Sequence, residues 1–369
     1  MNTLNVAQLT FADFNRMENQ WSDCLKGSEA NPLFSSWIWQ KSWWDIWQPR
    51  LDLELFLLGI YENGKLLGIA PCYTYNVKRA SLITVKRCEF IGNYSHNDDS
   101  VRSEYLNFIL PHGRYKEILP LIIRYIHTHH LDELVLTDVD ANSNTAKYIE
   151  KNYSGCDKTE EQGICIRTDK QFSSYLSSLG KNTRLKLFNR RKLLKSPEVI
   201  TLKEPKEIMG FFENLNTMHQ SRWGKVCFSQ HSESFHKKIS EYYLKEDSLE
   251  LLVLLEDNIP LAVCYDIKVE NTKYNIQLGF YSFANNKVSI GTLILGYSIE
   301  KAHESPLIEY YDLLAGKGKN SFYKKHFRGE TRVFSTFVIP LTYKVKYLLK
   351  VKIFLRKLKN SIIPRQITS

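Results

Sequence analysis

The chain has 369 residues, of which 43% are hydrophobic and 24% charged; this excludes a disordered or fibrous polymer, and the length favours two cores of ordinary size over one. Lys and Arg number 50 against 40 Asp and Glu, a net charge of +10, but the excess lies in residues 170–196 and after Glu330, so an anionic partner is expected at one of two patches. The seven cysteines (24, 72, 88, 156, 165, 227 and 264) form no CxxC pair and are odd in number, which argues against a disulfide framework or a zinc module and for a reducing compartment.

The stretch Met1 to Val6 lacks the basic and apolar regions of a signal peptide, and no apolar run approaches membrane-spanning length, so a cytoplasmic protein is expected. Leu55–Tyr61 and Leu66–Ala70 flank Glu62-Asn63-Gly64-Lys65 and predict a strand, a tight turn and a strand. Residues 115–127 carry Ile118, Leu121, Ile122, Tyr125 and Ile126 on one stripe and predict a helix, followed by a strand over 133–138. His127, His129 and His130 lack a carboxylate or cysteine at metal-ligand spacing, and they read as a helix C-terminus that favours imidazolium; no metal is expected. Residues 170–195 predict a basic helix free of carboxylates, with Phe172, Tyr175, Leu176 and Leu179 as its apolar positions, and 205–245 read as mostly helical.

The earlier pattern then recurs. Leu249–Leu255, the turn Glu256–Pro260 and Leu261–Cys264 predict a second hairpin; Thr292, Leu295, Ile299 and Ala302 mark a helical stripe, and 307–312 a strand. The same order in each half, hairpin, further strand, helix, strand, is that of a mixed α/β sheet built twice. Residues 341–359 predict a Lys-rich helix of imperfect amphipathicity, with Tyr347, Val351, Phe354, Leu355 and Leu358 on one stripe.

Four motifs stand out: Asn31-Pro32-Leu33-Phe34-Ser35-Ser36-Trp37 before Trp43-Trp44; Ser178-Leu179-Gly180-Lys181-Asn182-Thr183-Arg184; His219-Gln220-Ser221-Arg222-Trp223-Gly224; and Ser289-Ile290-Gly291-Thr292 with Asp312, Gly316 and Phe322-Tyr323-Lys324. Taken in order, they resemble GNAT-superfamily acetyltransferases of the CelD type, associated with cellulose and other exopolysaccharide biosynthesis, which share a doubled GNAT fold with Fem-type aminoacyl transferases. The resemblance implies two tandem GNAT-like domains, 1–165 and 166–335, joined by a basic linker helix and followed by a basic helical tail, 336–369. It departs from the family at Ile290, where a proline is usual, and at Lys317, in a lengthened loop before Tyr323.

Acyl transfer to an amine needs a donor held by its phosphates, a polarised carbonyl, a deprotonated amine and a proton for the leaving group. Asn286, Ser289, Gly291 and Thr292 lie between strand and helix, where a helix N-terminus can cradle a pyrophosphate; Ser289 or Thr292 as a plain helix cap is the competing reading. These residues match the usual GNAT phosphate loop only loosely. Tyr323 occupies the region from which GNAT enzymes take a tyrosine general acid, and packing of its ring is the alternative. Asp312 is a base or an orienter of the acceptor amine, or else a strand-end cap; His219, with Arg222 at i,i+3, is a second base candidate or a partly buried helix histidine. Lys324 and Lys317 pair with phosphate or with Asp312, or are surface lysines. No Gly-x-Ser-x-Gly elbow, P-loop or dinucleotide fingerprint is present, which favours direct transfer over a covalent enzyme intermediate.

The expected co-substrate is acyl-CoA, with acetyl-CoA first. The expected acceptor is a small-molecule or lipid-linked amino sugar. Peripheral contact of the C-terminal helix with the anionic inner face of a membrane is one expectation for the basic patches; binding of tRNA belongs to the Fem-like alternative, and a non-catalytic GNAT-like binding protein is the third reading.

Overall fold

The computed structural model describes residues 4–79, 83–96, 100–283, 285, 287–315 and 324–362. They divide into two compact units: residues up to Glu160 with those from Phe334 on, and Glu161–Val333.

In the first unit β1 (Leu4–Gln8), α1 (Phe11–Arg16), α2 (Glu18–Lys26) and α3 (Trp37–Leu51) precede β2 (Glu54–Glu62), β3 (Lys65–Arg79) and β4 (Ile83–Phe90). A helix, α4 (Tyr115–Thr128), then leads to β5 (Glu133–Asp140) and α5 (Asn144–Asn152). Helix starts are set locally: Thr10 and Asp13 form a capping box, and the hydroxyls of Ser36 and Ser143 cap α3 and α5. Trp39, Trp43 and Trp47 recur every four residues along α3 and are fully buried. Each removes roughly 200 Å² from water, an upper-bound contribution of about 5 kcal/mol. Between β2 and β3, Asn63 (φ 51°) and Gly64 (φ 82°) take the left-handed conformations of a two-residue type I′ turn, which holds Glu62 opposite Lys65. Strand β4 pairs parallel with β5 only over Arg87–Glu89 and Glu133–Val135, with α4 as the crossover.

The second unit starts within β6 (Asp157–Arg167). There follow α6 (Phe172–Ser178), α7 (Lys181–Leu187), β7 (Pro197–Leu202), α8 (Pro205–Trp223), α9 (Gln230–Lys245), β8 (Leu249–Glu256), β9 (Ile259–Val269), β10 (Thr272–Phe280), α10 (Ile290–Glu304) and β11 (Tyr310–Ala315). The basic stretch is therefore helical in pieces, α6, α7 and a 3-10 turn over Asn189–Leu193, because Leu179 and Gly180 are extended (ψ 150° and 148°) and glycine is poorly suited to a helix interior. The pieces pack closely. A Cβ on Gly296 of α10 would run into the carbonyl oxygen of Leu187.

The chain re-enters the first unit through β12 (Glu330–Pro340), whose Phe334–Pro340 pair antiparallel with β5, and ends in α11 (Tyr343–Ile362). Within the first unit the strand order is β1-β2-β3-β4-β5-β12, and within the second β7-β8-β9-β10-β11-β6. The pairings match strand for strand, antiparallel except β4 with β5 and β10 with β11. The turn chemistry matches too: Asp257 (φ 50°) and Asn258 (φ 64°) repeat the type I′ turn in the second hairpin. Asp138, in β5, and Leu314, in β11, both lie in the left-handed region (φ 51° and 58°) beside a register shift. The expected mixed α/β architecture, hairpin, further strand, helix, strand in each half, is the one observed.

His236 on α9 is buried against Phe228, Phe212 and Tyr265, and burial pushes its pKa down to about 3. The folded state thus keeps the imidazole neutral, so stability from this site is complete above its ordinary value of 6.5 and is lost as the pH falls from 6.5 towards 3. We expect each pH unit in that window to cost about 1.4 kcal/mol. Urea unfolding of His236→Phe beside the wild type between pH 7 and pH 4 measures this as a narrowing difference in midpoint, and parallel pH profiles would show the histidine to be silent.

Candidate functional site

Strands β10 and β11 run side by side for three residues only: Thr272 opposite Tyr310, Lys273 opposite Tyr311, Tyr274 opposite Asp312. At that point β10 bulges between Asn275 and Gln277, and β11 shifts its register with β6 between Asp312 and Ala315. A bulge inserts an unpaired residue and bends its strand, so the two strands part. Strand β10 continues to Phe280 along β9, and β11 keeps only its pairing with β6. From Asn275 to Phe280 the edge of β10 that faces away from β9 extends about 17 Å at the ordinary strand rise.

Asp312 stands at the apex of this fork, 3% exposed, and its Oδ1 accepts from the Leu314 amide at 2.7 Å. Neighbouring strand residues point to opposite faces. Tyr311 turns towards α10, where its hydroxyl meets Asp266 at 3.2 Å, so Asp312 turns to the face covered by α8. Lys324 lies at the same strand end, its Nζ donating to the carbonyls of Leu313 (2.5 Å), Leu314 (3.1 Å) and Ala315 (2.7 Å). The structure thus brings Lys324 and Asp312 together, with the ammonium engaged by main-chain carbonyls.

At the far end of the open edge, Gly291 in the first turn of α10 faces the Phe280 ring, into which a Cβ at that position would run. Ser289 and Thr292 share a hydroxyl hydrogen bond of 2.9 Å across the helix start. The last turn of α8 meets the same phenyl ring: the Arg222 guanidinium is 4.3 Å from its centroid and Trp223 lies edge-on at 6.1 Å. His219, one turn back, packs on Trp223 at 4.5 Å, and its Nε2 lies 2.9 Å from the Leu278 carbonyl. A carbonyl only accepts, so Nε2 carries the proton and Nδ1 the lone pair. Burial lowers the His219 pKa, the Leu278 bond offsets part of this, and the Arg222 charge lowers it further, so the ring is neutral at pH 7. The Leu278 amide is taken in turn by the Gln277 side-chain oxygen at 3.0 Å. Side chains therefore satisfy strand-edge groups that no neighbouring strand reaches.

Of the residues singled out from sequence, Ser289, Gly291, Thr292, His219 and Arg222 converge at one end of the open edge, and Asp312 with Lys324 at the other. Tyr323, Lys317 and Asn286 lie outside the described residues. Sequence reasoning missed Phe280, which joins α8 to α10, and Gln277. It also missed a buried network at the base of the fork. There Lys273 is ion-paired with Glu250 and lies 3.5 Å from Asp266, and Asp266 accepts from Asn275 (2.7 Å), from Tyr311 and from the Ser298 hydroxyl. A signal existed: Cys264 and Asp266 on β9, and Lys273 and Asn275 on β10, each stand two residues apart and so on one face, with Asp266 opposite Asn275 across the turn.

The cationic segment 181–195 runs beside the start of α10, with an Arg190 guanidinium nitrogen on the Lys287 carbonyl and Arg191 paired with Glu300 and stacked 3.6 Å from the Tyr297 centroid. A separate cavity of 610 Å³ opens near the C-terminal end of α10, lined by Arg167, Lys170, Ser174, Tyr175, His303 and Arg328 among others. It is about 20 Å along the helix from Gly291 and mixes both signs of charge, so it is not the open edge. Among the described residues no group of three or more His, Cys, Asp or Glu is placed to hold a metal ion.

Residues 181–325 match a family model described as "Acetyltransferase (GNAT) domain". The fold of the whole chain is shared with solved structures at low identity. FemX aligns with a TM-score of 0.59 and 11% identity, covering 90% of this chain and 96% of that one. A conserved protein of unknown function from Bacteroides thetaiotaomicron aligns at 0.56 and 11%, covering 92% and 100%. A tandem GNAT protein from the clavulanic acid biosynthesis pathway aligns at 0.51 and 10%, covering 92% and 99%. No curated protein matches the sequence. The chain has a mixed α/β fold that resembles tandem GNAT structures, and the residues matched by the GNAT domain model lie within the second unit.

Proposed function

We propose that the second unit moves an acyl group from acyl-CoA, acetyl-CoA in the first instance, to the amine of an amino sugar destined for a surface polysaccharide. One observation carries the reading: the β10–β11 fork leaves a strand edge running from Asp312 to the first turn of α10. A donor whose pyrophosphate rests against the amides around Ser289, Gly291 and Thr292 has an extended arm with its own amides, which suits the length of this edge on either side of Leu278, whose own amide and carbonyl are held by Gln277 and His219. Its thioester then lies beside Asp312. In that arrangement Asp312 takes a proton from the acceptor ammonium, the amine nitrogen attacks the thioester carbonyl, and the carbon–sulfur bond breaks. Tyr323 gives a proton to the departing thiolate and regains one from the attacking nitrogen, which sheds its second proton as the amide forms. Arg222, held over Phe280, supplies positive charge at the phosphate end. His219 acts there through Nδ1 alone, since its other nitrogen is held by Leu278. The amino-sugar acceptor rests on the likeness of the sequence motifs to CelD-type enzymes.

The cationic segment beside α10 favours a second reading, an aminoacyl-tRNA donor, because Arg190 and its neighbours stand next to the same loop. Incubating the full chain with acetyl-CoA and a panel of amino sugars, and following free thiol, separates the two. Acceptor-dependent thiol release supports CoA-dependent transfer. Absence of CoA binding by calorimetry, with tight and salt-sensitive binding of charged tRNA, would replace it with the Fem-like reading, and absence of both would leave a binding protein.

A further inference from the structure

The terminal helix α11 packs on the first unit through Val345 and Leu349, which are buried. Five of its large apolar side chains are not covered: Tyr343 is 91% exposed, Tyr347 70% and Phe354 61%, with Val351 and Leu355 also exposed. At 100° per residue these five fall within an arc of about 120°, opposite Val345 and Leu349. Exposed Lys346 and Lys350 border the arc on one side; Lys344 falls within it and Lys352 beyond its other edge, and these two are held by the Thr84 carbonyl and by Asp157. The sequence continues through Arg356, Lys357 and Lys359, and it has no acidic residue after Glu330.

An uncovered apolar stripe costs solubility and has to be read together with its charged border. A second copy of this chain would set lysines against lysines. A nucleic acid would meet the cations but gain little from aliphatic Val351 and Leu355. A lipid surface takes both: apolar side chains enter the boundary of the acyl chains while the ammoniums of Lys346 and Lys350 reach the headgroups beside them. Each lysine near such a surface gains only if the headgroups are anionic. Among the described residues no helix is long and apolar enough to cross a membrane, so the geometry that remains is a helix lying in the surface.

We propose that α11 docks the protein onto anionic lipid bilayers, with Tyr343, Tyr347, Val351, Phe354 and Leu355 as its embedded face and Lys346 and Lys350 as headgroup contacts. This placement does not rest on the acyl-transfer reading, and substitutions on the stripe leave thiol release from acetyl-CoA in solution unchanged.

The test is flotation of the full chain with vesicles of phosphatidylcholine alone and with vesicles containing about 30% phosphatidylglycerol, the range in which surface charge attracts basic segments. The protein is expected to float with the anionic vesicles and to be released by salt. The double substitution Tyr347→Glu, Phe354→Glu lowers partition at least tenfold. Lys346→Gln with Lys350→Gln lowers it about 25-fold while leaving the apolar stripe intact. All four positions are exposed, and circular dichroism melts identical to the wild type verify that each variant folds. Failure to float with anionic vesicles, equal flotation with neutral ones, or indifference to both sets of substitutions would overturn the proposal. So would a lipid-free dimer that the same substitutions dissociate, which would assign the stripe to a second copy.

Discussion

Asp312→Asn is expected to lower acyl transfer by about 10²- to 10⁴-fold, the range a lost general base commonly costs, while the melting temperature moves by no more than a few degrees. The two halves of this expectation come from the same atoms. Asp312 Oδ1 accepts from the Leu314 amide at 2.7 Å, and an asparagine oxygen of the same shape keeps that bond and the left-handed turn at Leu314. What asparagine lacks is the ability to take a proton from an ammonium. Asp312→Ala removes the cap as well and should therefore cost stability in addition to rate. Measured by thiol release and by calorimetric melting, an asparagine variant with wild-type turnover would reduce Asp312 to a strand-end cap, and the chemistry would have to be sought at Nδ1 of His219.

Lys273→Met is expected to destabilise the second unit by about 3–5 kcal/mol, which at its size lowers the melting temperature on the order of 10 °C. Lys273 is 1% exposed and stands among Glu250, Asp266 and the Ser298 carbonyl. Burial works against its charge, but the two carboxylates outweigh burial and leave its pKa above the usual lysine value. Methionine matches the aliphatic stem and leaves both carboxyl groups without the cation. Asp266 responds differently. Burial already raises its pKa, and Asp266→Asn keeps the pairing of Lys273 with Glu250, so it should cost less than half as much. Activity should also fall in Lys273→Met, because this network ties β9, β10, α10 and β11 together where the fork opens. Chemical denaturation of the two variants decides the matter. A Lys273→Met protein as stable as the wild type would mean that the carboxyl groups are neutral in the folded state and the network is not ionic.

The elements readable from sequence are those whose determinants lie within a few residues. Asn63-Gly64 and Asp257-Asn258 accept positive φ wherever they stand, so both hairpins were visible with their turns. The stripe of Ile118, Ile122 and Ile126 marked α4, and the order of elements repeated between the halves announced a doubled mixed sheet. The reading was less exact where the backbone's local preference was weak. The basic stretch separates into pieces at Leu179 and Gly180, and the strand predicted over 307–312 forms over Tyr310–Ala315, because its start is set by pairing with Thr272 and Arg167 and not by its own apolar run.

The site shows the same division. Composition, motifs and charge runs by themselves determined a two-core α/β protein, a small-residue turn at Ser289–Thr292, an aspartate at a strand end and two cationic segments, since these depend on residue type and near neighbours. Only the tertiary structure decided that β10 leaves β11 after Tyr274, that Phe280 rather than open space stands against Gly291, and that His219 spends a nitrogen on Leu278. It also decided that Lys273 is buried between two carboxylates, and that α11 turns five apolar side chains outward. Each of these is a contact between segments far apart in the chain, fixed by sheet register and packing, and no local preference of either partner encodes it.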